Sequence, residues 1–452
     1  MGPALQQERL HPKSWDAIIR RLLLVLLLAL SACGGGSSSP TSPGTATPTP
    51  TPTPTATAGV ANVAAVILDA GPASLGSANA AFNTPFVTIT ICAPGSTTNC
   101  QTIDHVILDT GSVGLRIIQP VINASLLTAL PPETDTSGQP VGECYQYVAS
   151  YAFGSVRQVD FSIAGETVRS MPVQIIGDTG TFANVPSACS SGGGSAITTV
   201  NSFGANAIIG IGSTGTDCGT ICQAGQHTGA IYYDCPASGC AQIIARTAST
   251  VAPFEQLPNP VAAFATDNNG TILTLPAVPQ AGVASLSGTI TFGIGTQPDN
   301  SLTAATLLTL TTSQSNLGPG LLTATFNGAT LQQSYVDSGS TVYFFEDSSL
   351  VLCPANNFNA FYCPASPLAL SPIITGQNGV SGSAAFTLYN PTTLRGNVTV
   401  APGLGVDPLI AFPKQADPAS FDVGIPFYFG RTVYTAIEGA NAGGTLGPYV
   451  AF

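Results

Sequence analysis

The stretch HVILDTGSVGLRI, residues 105–117, decides how this chain is read. An apolar run of strand type leads into Asp109-Thr110-Gly111-Ser112, and apolar residues follow at once. A carboxylate at the end of a buried strand is costly unless it is hydrogen-bonded or has a chemical task. A second copy lies far downstream. SYVDSGSTVYFF, residues 334–345, carries Asp337-Ser338-Gly339-Ser340 after a similar apolar run. In each tetrad Gly permits a tight turn and close backbone approach. The flanking hydroxyls can donate to a carboxylate. One such tetrad reads as a β-turn with Asp as a local acceptor. Two, one in each half of the chain, fit that reading poorly.

The rest of the inventory narrows the chemistry. Past the N-terminal region only His105 and His227 remain. There is no His-Glu-x-x-His and no Gly-x-Ser-x-Gly, so neither a zinc-peptidase site nor a hydrolase elbow is indicated. His105 reads as a strand residue and His227, in GQHTG, as a loop residue. GIGSTG, residues 210–215, matches Gly-x-Gly-x-x-Gly, but TDCGTIC follows it rather than an amphipathic helix. A dinucleotide loop is therefore not expected, and no cofactor or metal is.

Short alternating runs (FVTITI, GTITFGI, TILTL) recur between turn signals such as Asp267-Asn268-Asn269-Gly270. This is an all-β pattern. Residues 59–452 are long for one core and suit two lobes, here 59–268 and 269–452.

The N-terminus reads as export and tethering. Residues 20–33, RRLLLVLLLALSAC, pair two arginines with an apolar run shorter than the roughly 20 residues of a membrane span. Leu30-Ser31-Ala32-Cys33 resembles a bacterial lipobox. A lipoprotein signal peptide over 1–32 and lipid on Cys33 are expected. Gly34 in place of Asp after Cys33 points to the outer membrane. Residues 33–58 are rich in Gly, Ser, Thr and Pro and read as a disordered, extended tether, about 3.1 Å per residue where Pro-rich.

Charge limits the partners. The formal net charge is −12, and residues 1–32 hold four of the eleven basic residues against two acids. The chain from Cys33 thus carries −14 with seven basic residues. That is too few for a nucleic-acid surface. Contact with a membrane is expected only through the lipid.

Eleven cysteines leave ten once Cys33 is set aside, an even number suited to an oxidising compartment. Proximity suggests Cys92–Cys100, Cys218–Cys222, Cys235–Cys240 and Cys353–Cys363, leaving Cys144–Cys189. A nested Cys218–Cys240 with Cys222–Cys235 is the alternative, and a zinc site in the 218–240 cluster is the rival reading.

With both tetrads in view, the chain resembles the pepsin-like aspartic peptidases. FVTITICAPGSTTNCQTIDHVILDTGS is similar to that family's opening hairpin, and NAIIGIG, residues 206–212, to the segment that completes its first active-site loop. SGTITFGIG, residues 287–295, and VGIPFYFGRTVYTAIEG, residues 423–439, resemble second-lobe segments in the same order. The resemblance implies a bilobal double β-barrel with a central cleft, a monomer, and a peptide or protein substrate. It implies Asp109 and Asp337 as a catalytic dyad, Thr110 and Ser338 knitting the turns, and Ser112 and Ser340 holding the outer carboxylate oxygens. Gly111 and Gly339 complete the two turns. It also implies Tyr151, in YVASYAFGSVRQVDFSIAG, as the residue of a substrate-covering flap.

Three features depart from that pattern. Arg116 stands where an aromatic residue is common. Past residue 32 there is no Trp. Asp422-Val423-Gly424 places an acid in an apolar-apolar-Gly segment. A cation at 116 near Asp109 would hold that acid ionised and spoil proton sharing, which motivates an alternative: a peptide- or glycan-binding lipoprotein on the same scaffold. At near full length the chain also resembles an uncharacterised family of bacterial exported proteins with the ending FGRTVYTAIEG…GPY.

Overall fold

The computed structural model describes residues 61–452 except 136–137, 192–193, 220–229, 243–255, 355–357, 395 and 414–415. The expected signal peptide, Cys33 and the whole of the tether lie outside the described residues, as do Cys222 and His227.

Strands dominate, and helices among the described residues are short, the longest being Ala124–Ala129. The alternating runs form strands Pro85–Cys92, Gly270–Leu275 and Leu286–Phe292. The fold is all-β and bilobal, with a central cleft between the halves. One long sheet passes through both halves. Its first part orders the strands Val141–Gln146, Ser150–Ile163, Glu166–Ile176, Val113–Ile118, Ala207–Ile211, Cys100–Asp109 and Pro85–Cys92. The strand Val63–Leu68 then joins the halves. It pairs antiparallel with Leu286–Phe292, in the register Val63↔Thr291 to Leu68↔Leu286. Gly270–Leu275, Arg431–Ala436 and Tyr449–Ala451 continue the sheet. A second sheet belongs to the later half and holds Leu322–Phe326, Ala329–Val336, Asp422–Val423 and Tyr343–Phe344.

Both halves bury apolar strand faces in a shared core. Leu108, Leu115, Ile117 and Ile209 fill it on one side, and Phe345, Phe421, Val423 and Phe427 on the other. Phe345 stacks on Phe421 at 5.0 Å, with Phe326 edge-on to both. Side chains of this size bury the most apolar area.

Four disulfides follow the expected pairing: Cys92–Cys100, Cys144–Cys189, Cys235–Cys240 and Cys353–Cys363. Cys235–Cys240 removes the nested alternative, and with it the thiolates a zinc site would need. Cys218 is also disulfide-bonded. Cys92 and Cys100 are directly opposed across their hairpin. Cys144 and Cys189 are both fully buried and tie the strand Val141–Gln146 to the turn Ser187–Ser190.

Candidate active site

Each tetrad begins where a central strand runs out. Cys100–Asp109 lies parallel to Ala207–Ile211, with Ile107 opposite Ile208 and Leu108 opposite Ile209. Ala329–Val336 lies parallel to Asp422–Val423, with Tyr335 opposite Asp422 and Val336 opposite Val423. The two turns therefore leave their sheets at equivalent places and meet at the cleft floor.

The glycines show how closely they meet. A Cβ on Gly111 would stand 2.5 Å from Cγ of Asp337, and one on Gly339 would stand 2.6 Å from Oδ1 of Asp109. Each carboxylate occupies the space that the opposite glycine leaves open. Any other residue at either position would push the pair apart.

The hydrogen bonds repeat with near two-fold symmetry. Gly111 N–H donates to Asp109 Oδ1 at 2.8 Å, and Gly339 N–H to Asp337 Oδ1 at 2.7 Å. Ser112 Oγ donates to Asp109 Oδ2, and Ser340 Oγ to Asp337 Oδ2 at 2.9 Å. Across the interface Thr110 N–H donates to Ser338 Oγ at 3.1 Å, and Ser338 N–H to Thr110 Oγ1 at 2.9 Å. Symmetry ends there. Ser338 Oγ donates to the Leu108 carbonyl at 2.8 Å, whereas Thr110 Oγ1 pairs with the buried Tyr428 hydroxyl at 3.1 Å.

Two acids this close and this buried cannot both ionise easily. Burial first, then the charges of Asp109 and Asp422 and a hydrogen bond with Asp109, hold the Asp337 carboxyl well above the ordinary carboxylate range. The Gly339 N–H opposes this. The geometry suits a pair that shares one proton and titrates as a unit.

Arg116 does not act on Asp109 as a free cation. It is fully buried. Its Nη2 lies 2.6 Å from Glu143 Oε1 and 3.1 Å from Asp217 Oδ2, and Nη1 donates to the Val113 carbonyl at 2.8 Å. Its guanidinium covers the Tyr145 ring at 3.8 Å. Burial and the Glu143 charge hold Asp217 well above the ordinary range, against the pull of Arg116. The Tyr232 hydroxyl lies 2.8 Å from Asp217 Oδ2 and donates to that carboxyl. Two acids thus compensate Arg116, which pins the strand Val141–Gln146 against the segment after Asp109. Glu143 and Asp217 carry this network and are not picked out by the sequence reading. Their only signal is an isolated charge among apolar and small residues.

The strands Val141–Gln146 and Ser150–Ile163 form a hairpin over the cleft. Tyr151 lies in it but does not line the cleft; Tyr145 and Tyr147 do. The cause is register. Tyr147 N–H donates to the Ser150 carbonyl at 2.8 Å, so the pairs continue as Gln146↔Tyr151 and Tyr145↔Ala152. Cross-strand partners share a face. Tyr151 therefore shares the face of Gln146, opposite to Tyr145 and Tyr147. It packs against the cluster around the Cys144–Cys189 bridge. Tyr147, not the expected Tyr151, is therefore the tyrosine near the hairpin tip that faces the cleft, its ring 4.8 Å from that of Tyr145.

The cleft has a volume of about 780 Å³ and draws its lining from both halves, including Asp109, Tyr145, Tyr147, Asp337, Phe344 and Asp422. Asp422 is the other residue whose place the sequence left open. It is buried beside Ser340, 2.5 Å from that hydroxyl. His105, the strand residue expected, lies 3.4 Å from Asp69 and does not line the cleft.

Among solved structures, the aspartic proteinase from Irpex lacteus is similar over 86% of this chain and 97% of its own, with 13% identity and a TM-score of 0.45. A comparison with curated proteins finds no match. The model of a family described as a protein of unknown function (DUF3443) matches residues 58–452. The chain belongs to that family.

Proposed function

We propose that this protein is an aspartic endopeptidase, exported and lipid-anchored through Cys33, with Asp109 and Asp337 as its catalytic pair. The observation that carries this reading is the mutual seating of the two carboxyls, each in the space left by the other turn's glycine. A water held between them would be activated from the Asp109 side as general base. Asp337, the group pushed toward its protonated form, would give its proton to the peptide carbonyl oxygen. Water oxygen then bonds to the carbonyl carbon, and a neutral tetrahedral diol forms. On collapse the C–N bond breaks, the amine leaves with the proton taken up by Asp109, and a diol hydroxyl returns a proton to Asp337.

Thr110 and Ser338 hold the turns in mutual register, while Ser112 and Ser340 fix the outer oxygens. Tyr147 would cover the bound peptide. The lobes are taken as 59–268 and 269–452, acting as a monomer on peptide or protein at the outer membrane. The non-catalytic binding reading rested on Arg116, and the pairing of Arg116 with Glu143 and Asp217 removes that ground.

Cleavage of a denatured protein across acidic to neutral pH tests the proposal. Wild type should cut, and Asp109→Asn should lose at least about 100-fold of that activity. Equal cleavage by both proteins, or none by the wild type at any pH, overturns it.

A further inference from the structure

Ser340 has one hydroxyl proton and two carboxylate neighbours. Its Oγ lies 2.9 Å from Asp337 Oδ2 and 2.5 Å from Asp422 Oδ2. It can donate to only one of them. For both contacts to be hydrogen bonds, the other oxygen must bring its own proton. Asp422 is the residue placed to bring it. It is buried, its Oδ1 has no partner at good hydrogen-bond geometry among the described residues, and besides Ser340 the Tyr335 hydroxyl is the side-chain group that bonds its carboxyl. An ionised carboxylate left so poorly solvated is costly, and a neutral acid is much less so.

We propose that Asp422 is a positioning residue for Asp337: as a neutral acid it donates to Ser340 Oγ and so points the Ser340 hydroxyl at Asp337 Oδ2. The site then stores a second proton beyond the one shared by the pair. When Asp422 gives that proton to solvent, the Ser340 hydroxyl turns to the nearer oxygen of Asp422. Asp337 loses a donor, and a second negative charge joins the one carried by the pair. The device sets an upper pH limit on the site.

The groups around Asp422 agree with this. Tyr335 faces it from the neighbouring strand, with Asp337 just beyond, and Asp417 reaches Tyr335 from the loop before. Asp109 acts on it from across the cleft, and Tyr428 faces it from the turn Ile425–Tyr428. Tyr343–Phe344 brings only Phe344. None of these groups is a cation. Burial pushes the Asp422 carboxyl up to about 8, with the neighbouring Ser340 and Tyr335 hydroxyls opposing and the Asp109 charge adding to the rise. A group raised in this way is neutral below that pH and ionises as pH climbs through it.

The inference rests on the peptidase reading for its effect on rate, but not for the proton itself. Two arms keep the two apart. In the first, the pH dependence of kcat and KM is compared for wild type, Asp422→Asn and Asp422→Val. Wild-type kcat should fall on the alkaline side with KM little changed. Asp422→Asn, which keeps an N–H donor toward Ser340 at every pH, should carry that limb to higher pH. Asp422→Val should lower kcat by about tenfold on the plateau, the loss of one hydrogen bond to a charged group. Superimposable alkaline limbs in wild type and Asp422→Asn overturn the proposal.

In the second arm, carboxyl protonation is followed by infrared titration of wild type and Asp422→Asn. One protonated carboxyl should titrate near pH 8 in the wild type and be missing from the variant. Identical titrations would overturn the proposal even if no substrate is cut. If the wild type cuts nothing, the peptidase reading fails, and this arm alone decides the role of Asp422.

Discussion

Asp109 and Asp337 end equivalent strands and accept equivalent hydrogen bonds, but the next layer out differs. Behind Asp109 the parallel neighbour strand presents Ile208; at the same register behind Asp337 it presents Asp422. Ser112 serves one carboxylate, whereas Ser340 stands between two. Near the Asp109 turn, Arg116 is compensated by Glu143 and Asp217. Near the Asp337 turn, the acids Asp337 and Asp422 have no compensating cation among the described residues. Two nearly identical tetrads thus sit in unlike electrostatic settings. The likeness sets geometry, and the difference decides where protons reside.

The largest effect on stability should come from the first half. Arg116→Met leaves Glu143 and Asp217 buried together without their cation. Removing one partner of a buried pair costs about 3–5 kcal/mol, read as a lower midpoint in urea. The loss should lessen at acidic pH, because burial and the Glu143 charge already hold Asp217 toward its neutral form, and its protonation relieves the repulsion between the two acids. An unchanged midpoint would mean that the network does not pin the hairpin.

Replacing Cys144 and Cys189 together by Ala removes a bridge across 45 residues. The expected cost is about 2–4 kcal/mol, and the hairpin that carries Tyr147 should become more open to proteolysis. A comparable loss without added cleavage near 141–150 would separate the bridge from the hairpin.

The glycines test the symmetry itself. Gly111→Ala and Gly339→Ala each force a methyl into the opposite carboxyl. Each should cost about 1–3 kcal/mol and sharply reduce any cleavage. Similar losses support a mutual seat. A large loss in only one variant would show that the pair is held from one side.

The smallest effect concerns the strand that delivers Asp109. The hydrogen bond to Asp69 raises His105 above its ordinary value of 6.5, with burial opposing. A raised His stabilises the fold below its unfolded value and loses that contribution as pH rises through the folded one. His105→Gln should therefore cost at most about 1 kcal/mol, more in mildly acidic than in alkaline solution. A larger cost in alkaline solution would contradict the assignment.

Much of this was legible in the sequence because it is local. An Asp, its glycine and its hydroxyl lie within four residues, so the tetrads, their repetition and the strands before them could be read directly. The short-range disulfides were legible for the same reason. The parts that escaped depend on distant pairing. Arg116 finds its partners 27 and 101 residues away, and Ser340 meets Asp422 at a separation of 82. Arg116 therefore looked like a threat to Asp109, and Asp422 like a blurred motif. Tyr151 failed through parity: moving across a two-residue tip exchanges odd and even positions between faces, and the tip was not visible as a turn signal.

The central claim is that Asp109 and Asp337 form one coupled pair. Carbon-13 titration of the Asp337 carboxyl, in wild type and in Asp109→Asn, tests it most directly. Asp337 should stay protonated well above the ordinary carboxylate range in the wild type, and titrate at lower pH once the Asp109 charge is gone. An Asp337 that titrates as an ordinary carboxylate, or that ignores the loss of Asp109, would contradict the account.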